Sequence, residues 1–113
     1  MVSVALVREK LTFGLPHASY NTQTRKADQV DKRELERLVA AAQRGDTAAF
    51  ARLTNANYRL VYGLAYSTVG DWAAAQDIAQ DTFVVAWTHL GNLRGAGAFP
   101  MWIRKITRNL ALN

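Results

Sequence analysis

The chain contains no cysteine, which excludes a disulfide framework, a thiolate metal site and a cysteine nucleophile, though it does not by itself assign a redox compartment. Half of its 113 residues are apolar, yet no run approaches the roughly 18 uninterrupted apolar residues of a membrane span. The start MVSVALVREKL is briefly apolar but lacks the basic leader and small-residue cleavage pattern of a secretory signal, so a soluble, cytoplasmic protein without a membrane partner is expected. No segment repeats, none is low in complexity, and none sustains the alternation of a strand. An all-helical domain is therefore expected.

Charge of one sign is missing from each of two neighbouring stretches. Residues 71–90, DWAAAQDIAQDTFVVAWTHL, contain no lysine or arginine, and residues 94–113 contain no acid. In the first, Ala75, Ile78, Ala79, Thr82, Phe83, Ala86 and Leu90 share one face at helical spacing, leaving Asp77, Gln80 and Asp81 on the other. In the second, Phe99, Trp102, Ile103, Ile106 and Leu110 make the apolar face, and Arg104, Lys105 and Arg108 project away from it. Two partners of opposite preference are implied. The net charge of +5 and pI near 10.0 favour a polyanionic partner only modestly, because many cytosolic proteins are as basic.

Residues 1–30 differ in texture from the rest. Gly14, Pro16, His17, Ser19, Asn21, Thr22 and Thr24 interrupt periodicity, although residues 2–13 fit a short amphipathic helix, and this part reads as an extension of a domain over residues 31–113. From Asp31 the pattern is helical, with Leu35, Leu38, Val39 and Ala42 on one face and a stop near Gly45. Asp46 is placed to cap a second helix carrying Phe50, Leu53, Asn57, Leu60, Val61, Leu64 and Tyr66, which ends by Gly70. Asp71 is placed to cap a third. The short connections predict adjacent, packed helices.

The linker between the charged stretches, GNLRGAGAF, has glycine at 91, 95 and 97. Glycines there either reverse the chain or let a ligand approach the backbone; they do not form a P-loop, since the spacing fails and no Lys-Ser or Lys-Thr pair follows. Asp77 and Asp81, four residues apart, resemble a carboxylate pair, but neither His17 nor His89 stands at ligand spacing. A solvated or protein-binding face is the simpler reading, with no metal and no catalytic residue. His89 reads as a helix-end residue meeting the local dipole. Trp72, Trp87 and Trp102 are expected in the core or at its boundary, and Trp102 also precedes a basic cluster, the combination that stacks on unpaired bases and holds adjoining phosphates. Arginines 8, 25, 33, 37, 44, 52 and 59 are interspersed among acids and read as solubilising surface.

The ordered set Gln43-Arg44-Gly45-Asp46, Ala49-Phe50, Leu53, Tyr62-Gly63-Leu64-Ala65, Gly70-Asp71, Ala75, Asp77-Ile78, Gln80-Asp81, Phe83, Ala86-Trp87, Phe99, Trp102-Ile103, Ile106 and Arg108-Asn109-Leu110-Ala111 resembles domain 2 of bacterial sigma factors, most closely the extracytoplasmic-function group. The resemblance runs over residues 34–113. It implies a compact three- to four-helix sigma-factor domain 2 bundle with no cofactor and no enzymatic activity of its own.

The resemblance also implies partners. The helix over 71–90 would dock on the clamp helices of the largest catalytic subunits of core RNA polymerase through Asp77, Gln80 and Asp81, with Phe83 and Trp87 at the apolar margin. The linker and the helix over 99–113 would separate the strands of the minus-ten promoter element and hold a flipped base of the non-template strand. Asn92, Arg94, Gly95, Gly97, Trp102, Arg104, Lys105, Arg108 and Asn109 are the DNA-binding residues so implied. An anti-sigma factor is a further implied partner.

Three features depart from the family pattern. Trp72, Ala73, Ala74 and Gln76 stand where charged residues are common, which makes the polymerase contact weaker or more apolar. Ala98-Phe99-Pro100 supplies no serine-type cap. Family members continue into a helix-turn-helix domain for the minus-thirty-five element, while this sequence stops at Asn113, as either a piece of a longer factor or a shorter one. Two other classes of function also fit: a protein-interaction module held by an anti-sigma factor or self-associating, and a nonspecific basic binder of single-stranded DNA.

Overall fold

The computed structural model describes residues 30–113. The helix expected over residues 2–13 and nearly all of the expected extension lie outside them. Four helices follow in order: α1 (Lys32–Gln43), α2 (Thr47–Val69), α3 (Trp72–His89) and α4 (Phe99–Leu112), with single 3-10 turns at Leu90–Asn92 and Ala96–Ala98 between the last two. There is no strand among the described residues, and the architecture is the all-α bundle the sequence leads one to expect.

Aspartate starts the first three helices. Asp31, Asp46 and Asp71 sit in extended conformation and accept the backbone N–H three residues on, from Glu34 at 2.8 Å, Ala49 at 3.1 Å and Ala74 at 2.9 Å. Each such cap contributes about 1 kcal/mol. α2 ends at Gly70, whose φ of 71° is left-handed and whose N–H reaches the Tyr66 carbonyl at 2.8 Å. A side chain there would strain the backbone, so glycine ends α2 and the next residue already caps α3.

α2 packs against all three other helices, and α3 and α4 pack against each other. Its inward row is Phe50, Leu53, Tyr58, Val61 and Ala65 with Thr54 beside Leu53, so that the steps are of one, three and four residues. Phe50, Leu53 and Val61 share one core with Phe99 and Ile103 of α4, all fully buried, each contributing about 1.5–3 kcal/mol of apolar burial. α3 lines the core largely with Ala75, Ala79 and Ala86, which have no exposed surface and let it lie close. Where α3 and α4 meet, Thr82 and Thr107 are fully buried with their hydroxyls 3.3 Å apart; each hydroxyl lies 2.8 Å from a carbonyl of its own helix, Ile78 or Ile103.

Two sequence expectations are corrected. Leu60 is 40% exposed, because it sits one residue off the inward row, about 100° around the helix, and Tyr58 and Val61 take the inward places. Trp72, expected in the core or at its boundary, is 62% exposed. It heads α3 beyond the buried alanines and lies on Tyr66 and Tyr62 rather than beneath them.

Thr54 is 1% exposed, and its hydroxyl has no hydrogen-bond partner among the described residues. Thr54→Val keeps the shape and removes a buried polar group, so thermal unfolding followed by circular dichroism is expected to show unchanged stability or a gain of up to about 1 kcal/mol. A loss larger than that would mean the hydroxyl is bonded.

Candidate functional site

α4 turns Phe99, Ile103 and Thr107 inward, which leaves Arg104, Lys105, Arg108 and Asn109 exposed along its outer side. Arg94 is exposed in the preceding connection. Among the described residues these four cations have no ion-pair partner, in contrast to Arg52, which holds Glu34 at 3.3 Å. Trp102 is half-buried, its ring 6.0 Å from that of Phe99 at 51°, so the core fixes one side of the indole and leaves the rest at the surface beside the basic cluster. α4 starts at Ala98 without a side-chain cap and with Pro100 in its first turn, as the sequence indicates.

On α3, Asp77 is exposed and has no ion-pair partner among the described residues. Gln80 and Asp81 are half-buried, and Asp81 is already engaged within the molecule. Trp87 is half-buried and tilted at 60° against Phe50, centroids 5.1 Å apart. Phe83 is 3% exposed and stacked on Tyr58 at 6.4 Å. Its expected place at the margin of a contact surface is therefore corrected: it follows Thr82 on the inward side and supports α3 from within. Burial pushes the Tyr58 phenol above its ordinary value of 10.0, and the neighbouring Tyr62 phenol adds to the shift.

The connection between α3 and α4 is built rather than slack. Leu90 and Leu93 are buried pegs, and the Leu93 N–H bonds the Leu90 carbonyl at 3.1 Å. Gln43, at the end of α1, donates its side-chain amide to the Leu90 carbonyl at 3.0 Å and the Leu93 carbonyl at 3.1 Å. One side chain thus satisfies two backbone acceptors and ties the connection to a helix 47 and 50 residues earlier. No sequence signal gave Gln43 this task, since its partners are carbonyls, which every residue has.

Between and beyond these pegs, Asn92, Arg94, Gly95 and Gly97 are exposed. Gly95 has φ of 85°, so chain reversal accounts for that glycine. Gly97 has no such angle, and a Cβ there would meet nothing within 4 Å, so the isolated fold does not require it. The structure brings the linker residues and the start of α4 together, and sets the α3 acids on a separate helix. No cluster of three or more His, Asp or Glu suited to a metal occurs among the described residues, and no described helix is long and apolar enough to cross a membrane. The arrangement can bind, through one cationic and one anionic surface.

A family model described as Sigma-70 region 2 matches residues 53–113. The chain is 41% identical over 78 residues to the RNA polymerase sigma-H factor of Pseudomonas aeruginosa, covering 69% of this chain and 40% of that protein. It is 39% identical over 85 residues to the probable RNA polymerase sigma factor RfaY of Xanthomonas campestris, covering 75% of this chain and 21% of that protein. It is also 36% identical over 87 residues to the ECF RNA polymerase sigma factor BldN of Streptomyces coelicolor, covering 76% and 33%. The chain thus spans less than half the length of these curated relatives. No solved structure matches it.

Gln43→Ala removes the donor of the Leu93 carbonyl and leaves the Leu90 carbonyl with the Leu93 N–H alone. A stability loss of about 1–3 kcal/mol is expected in thermal unfolding, with faster amide exchange in residues 90–98 than elsewhere. Unchanged exchange there would show that Leu90 and Leu93 hold the connection without the amide.

Proposed function

The chain belongs to the sigma-70 region 2 family, matched over more than half its length, and from that premise we propose that it binds core RNA polymerase through α3 and recognises and opens the minus-ten promoter element through α4 and the connection before it. The observation that carries this reading is the division of charge between two helices: exposed, unpaired cations on α4 and Arg94, and an acid-only outer side on α3. Cations fit the phosphates and base edges of DNA, and acids fit a basic protein surface. In this reading strand opening uses no catalytic residue. Contacts to unpaired bases, Trp102 and the linker among them, offset an unstacking cost of a few kcal/mol.

The polymerase half is tested by Asp77→Lys, because Asp77 is open and a charge change at an exposed site costs little stability. Association with core polymerase is expected to weaken at least about fivefold, with the circular dichroism spectrum and melting unchanged. Core binding at full strength by the folded variant would remove α3 from the interface.

The DNA half separates phosphate contacts from base contacts. Arg104→Ala is expected to weaken binding to every sequence alike and to lower the salt dependence by about one unit, the behaviour of a phosphate contact. Lys105→Ala or Arg108→Ala is expected to cost about 1–3 kcal/mol on the preferred single strand only. Titrations against minus-ten-like and scrambled oligonucleotides at two salt concentrations measure both. Equal losses for all variants on all sequences would instead support nonspecific single-strand binding.

A further inference from the structure

Trp72 is the most exposed aromatic residue named so far, yet it is not loose. Its ring lies 4.0 Å from Tyr66 and 5.9 Å from Tyr62, centroid to centroid, with interplanar angles of 21° and 17°. Tyr62 continues the stack to Tyr58 at 6.0 Å, and Tyr58 to the buried Phe83. The row of rings therefore runs from the core to the surface and ends in an indole 62% open to solvent. An indole covered on both faces could not remain so exposed, so one face is free.

The charge around it is one-sided. Lysine and arginine are absent between Arg59 and Arg94, while Asp71, Asp77 and Asp81 lie within that span. Arg59, at its border, is already engaged within the molecule. Trp72, Gln76 and Gln80 follow one another along the outer side of α3 at steps of four, and Asp77 projects about 140° around the helix from Trp72. Ring and carboxylate therefore meet a partner at separate points of one cation-free surface. An electron-rich ring face in such a region attracts a guanidinium, which stacks on the ring. Because the tyrosines already fix the indole, little side-chain freedom remains to be lost on binding.

We propose that Trp72, held by Tyr62 and Tyr66, is an arginine-accepting platform for a basic segment of a protein partner, a second cation of which reaches Asp77. This rests on the reading of α3 as the polymerase-binding helix, and it places an aromatic contact at the first residue of that helix. Trp72 then supplies by cation–π attraction what a charged side chain at this position would supply by ion pairing.

The test compares Trp72→Ala, Trp72→Leu, Trp72→Phe and Asp77→Lys in the full chain, titrated against core RNA polymerase, with melting recorded for each. Ala and Leu are expected to weaken association about five- to tenfold, and Phe, which keeps a π face, less than about threefold. Wild-type affinity for Trp72→Leu would overturn the proposal, since an apolar side chain would then suffice; this holds even if Trp72→Ala fails to fold. Normal binding by every Trp72 variant with loss in Asp77→Lys would overturn it while leaving α3 as the polymerase helix. Normal binding by all four would overturn the polymerase reading together with it.

Discussion

α2 must meet three helices at once, and every other element is placed by how it satisfies that constraint. Its inward row is wide, running from Ala49 and Phe50 through Tyr58 to Ala65, because helices press on it from several directions. Large side chains from α2 and α4 fill the centre, and α3 answers with three alanines beside Thr82, Phe83 and Val84. A larger residue at Ala75, Ala79 or Ala86 would push α3 outward, since a close-packed interior has no slack to absorb it. The exposure of Asp77 on α3 and of the bases on α4 follows from this packing: each helix has one side committed to α2.

Much of the frame was legible because it rests on local chemistry. Asp46 and Asp71 cap helices where the sequence places them, Gly70 ends α2, and the inward faces of α1 and α4 follow the helical spacing of Leu38, Val39 and Ala42 and of Phe99 and Ile103. The outer sides of α4 and of the linker were legible for the same reason. Misreadings arose where tertiary geometry decides. Phe83 has the helical spacing of an inward residue and is buried, while the family resemblance alone sets it at a surface. Leu60 and Trp72 are apolar by composition and exposed by position: Leu60 sits one residue off the inward row of α2, and Trp72 heads α3 beyond its buried alanines. Gln43 joins parts of the chain far apart in sequence, and periodicity carries no information at that range.

The two surfaces differ in how they are made rigid. The α3 side rides on a continuous helix whose start is fixed by Gly70 and Asp71, with no loop to relax between α2 and α3. The α4 side includes an irregular connection, which by itself would be the mobile part of such a molecule. Leu90, Leu93 and the Gln43 amide prevent that by anchoring its first half, and in its second half the Ala98 N–H bonds the Gly95 carbonyl at 3.1 Å, the Phe99 N–H bonds the Ala96 carbonyl, and Ala96 packs against the core. A surface held along its length loses little freedom on meeting a partner.

The placing of acids on α3 and bases on α4 also spreads charge unevenly over the described residues, a body 38 × 35 × 24 Å in extent. Close to a polyanion such a body feels a torque as well as an attraction, which turns the α4 side toward it before any atoms touch. The field reaches only about 8 Å at physiological ionic strength, so the turning happens in the last stage of approach. Encounters made through the α4 side are thereby favoured over those made through the acids of α3.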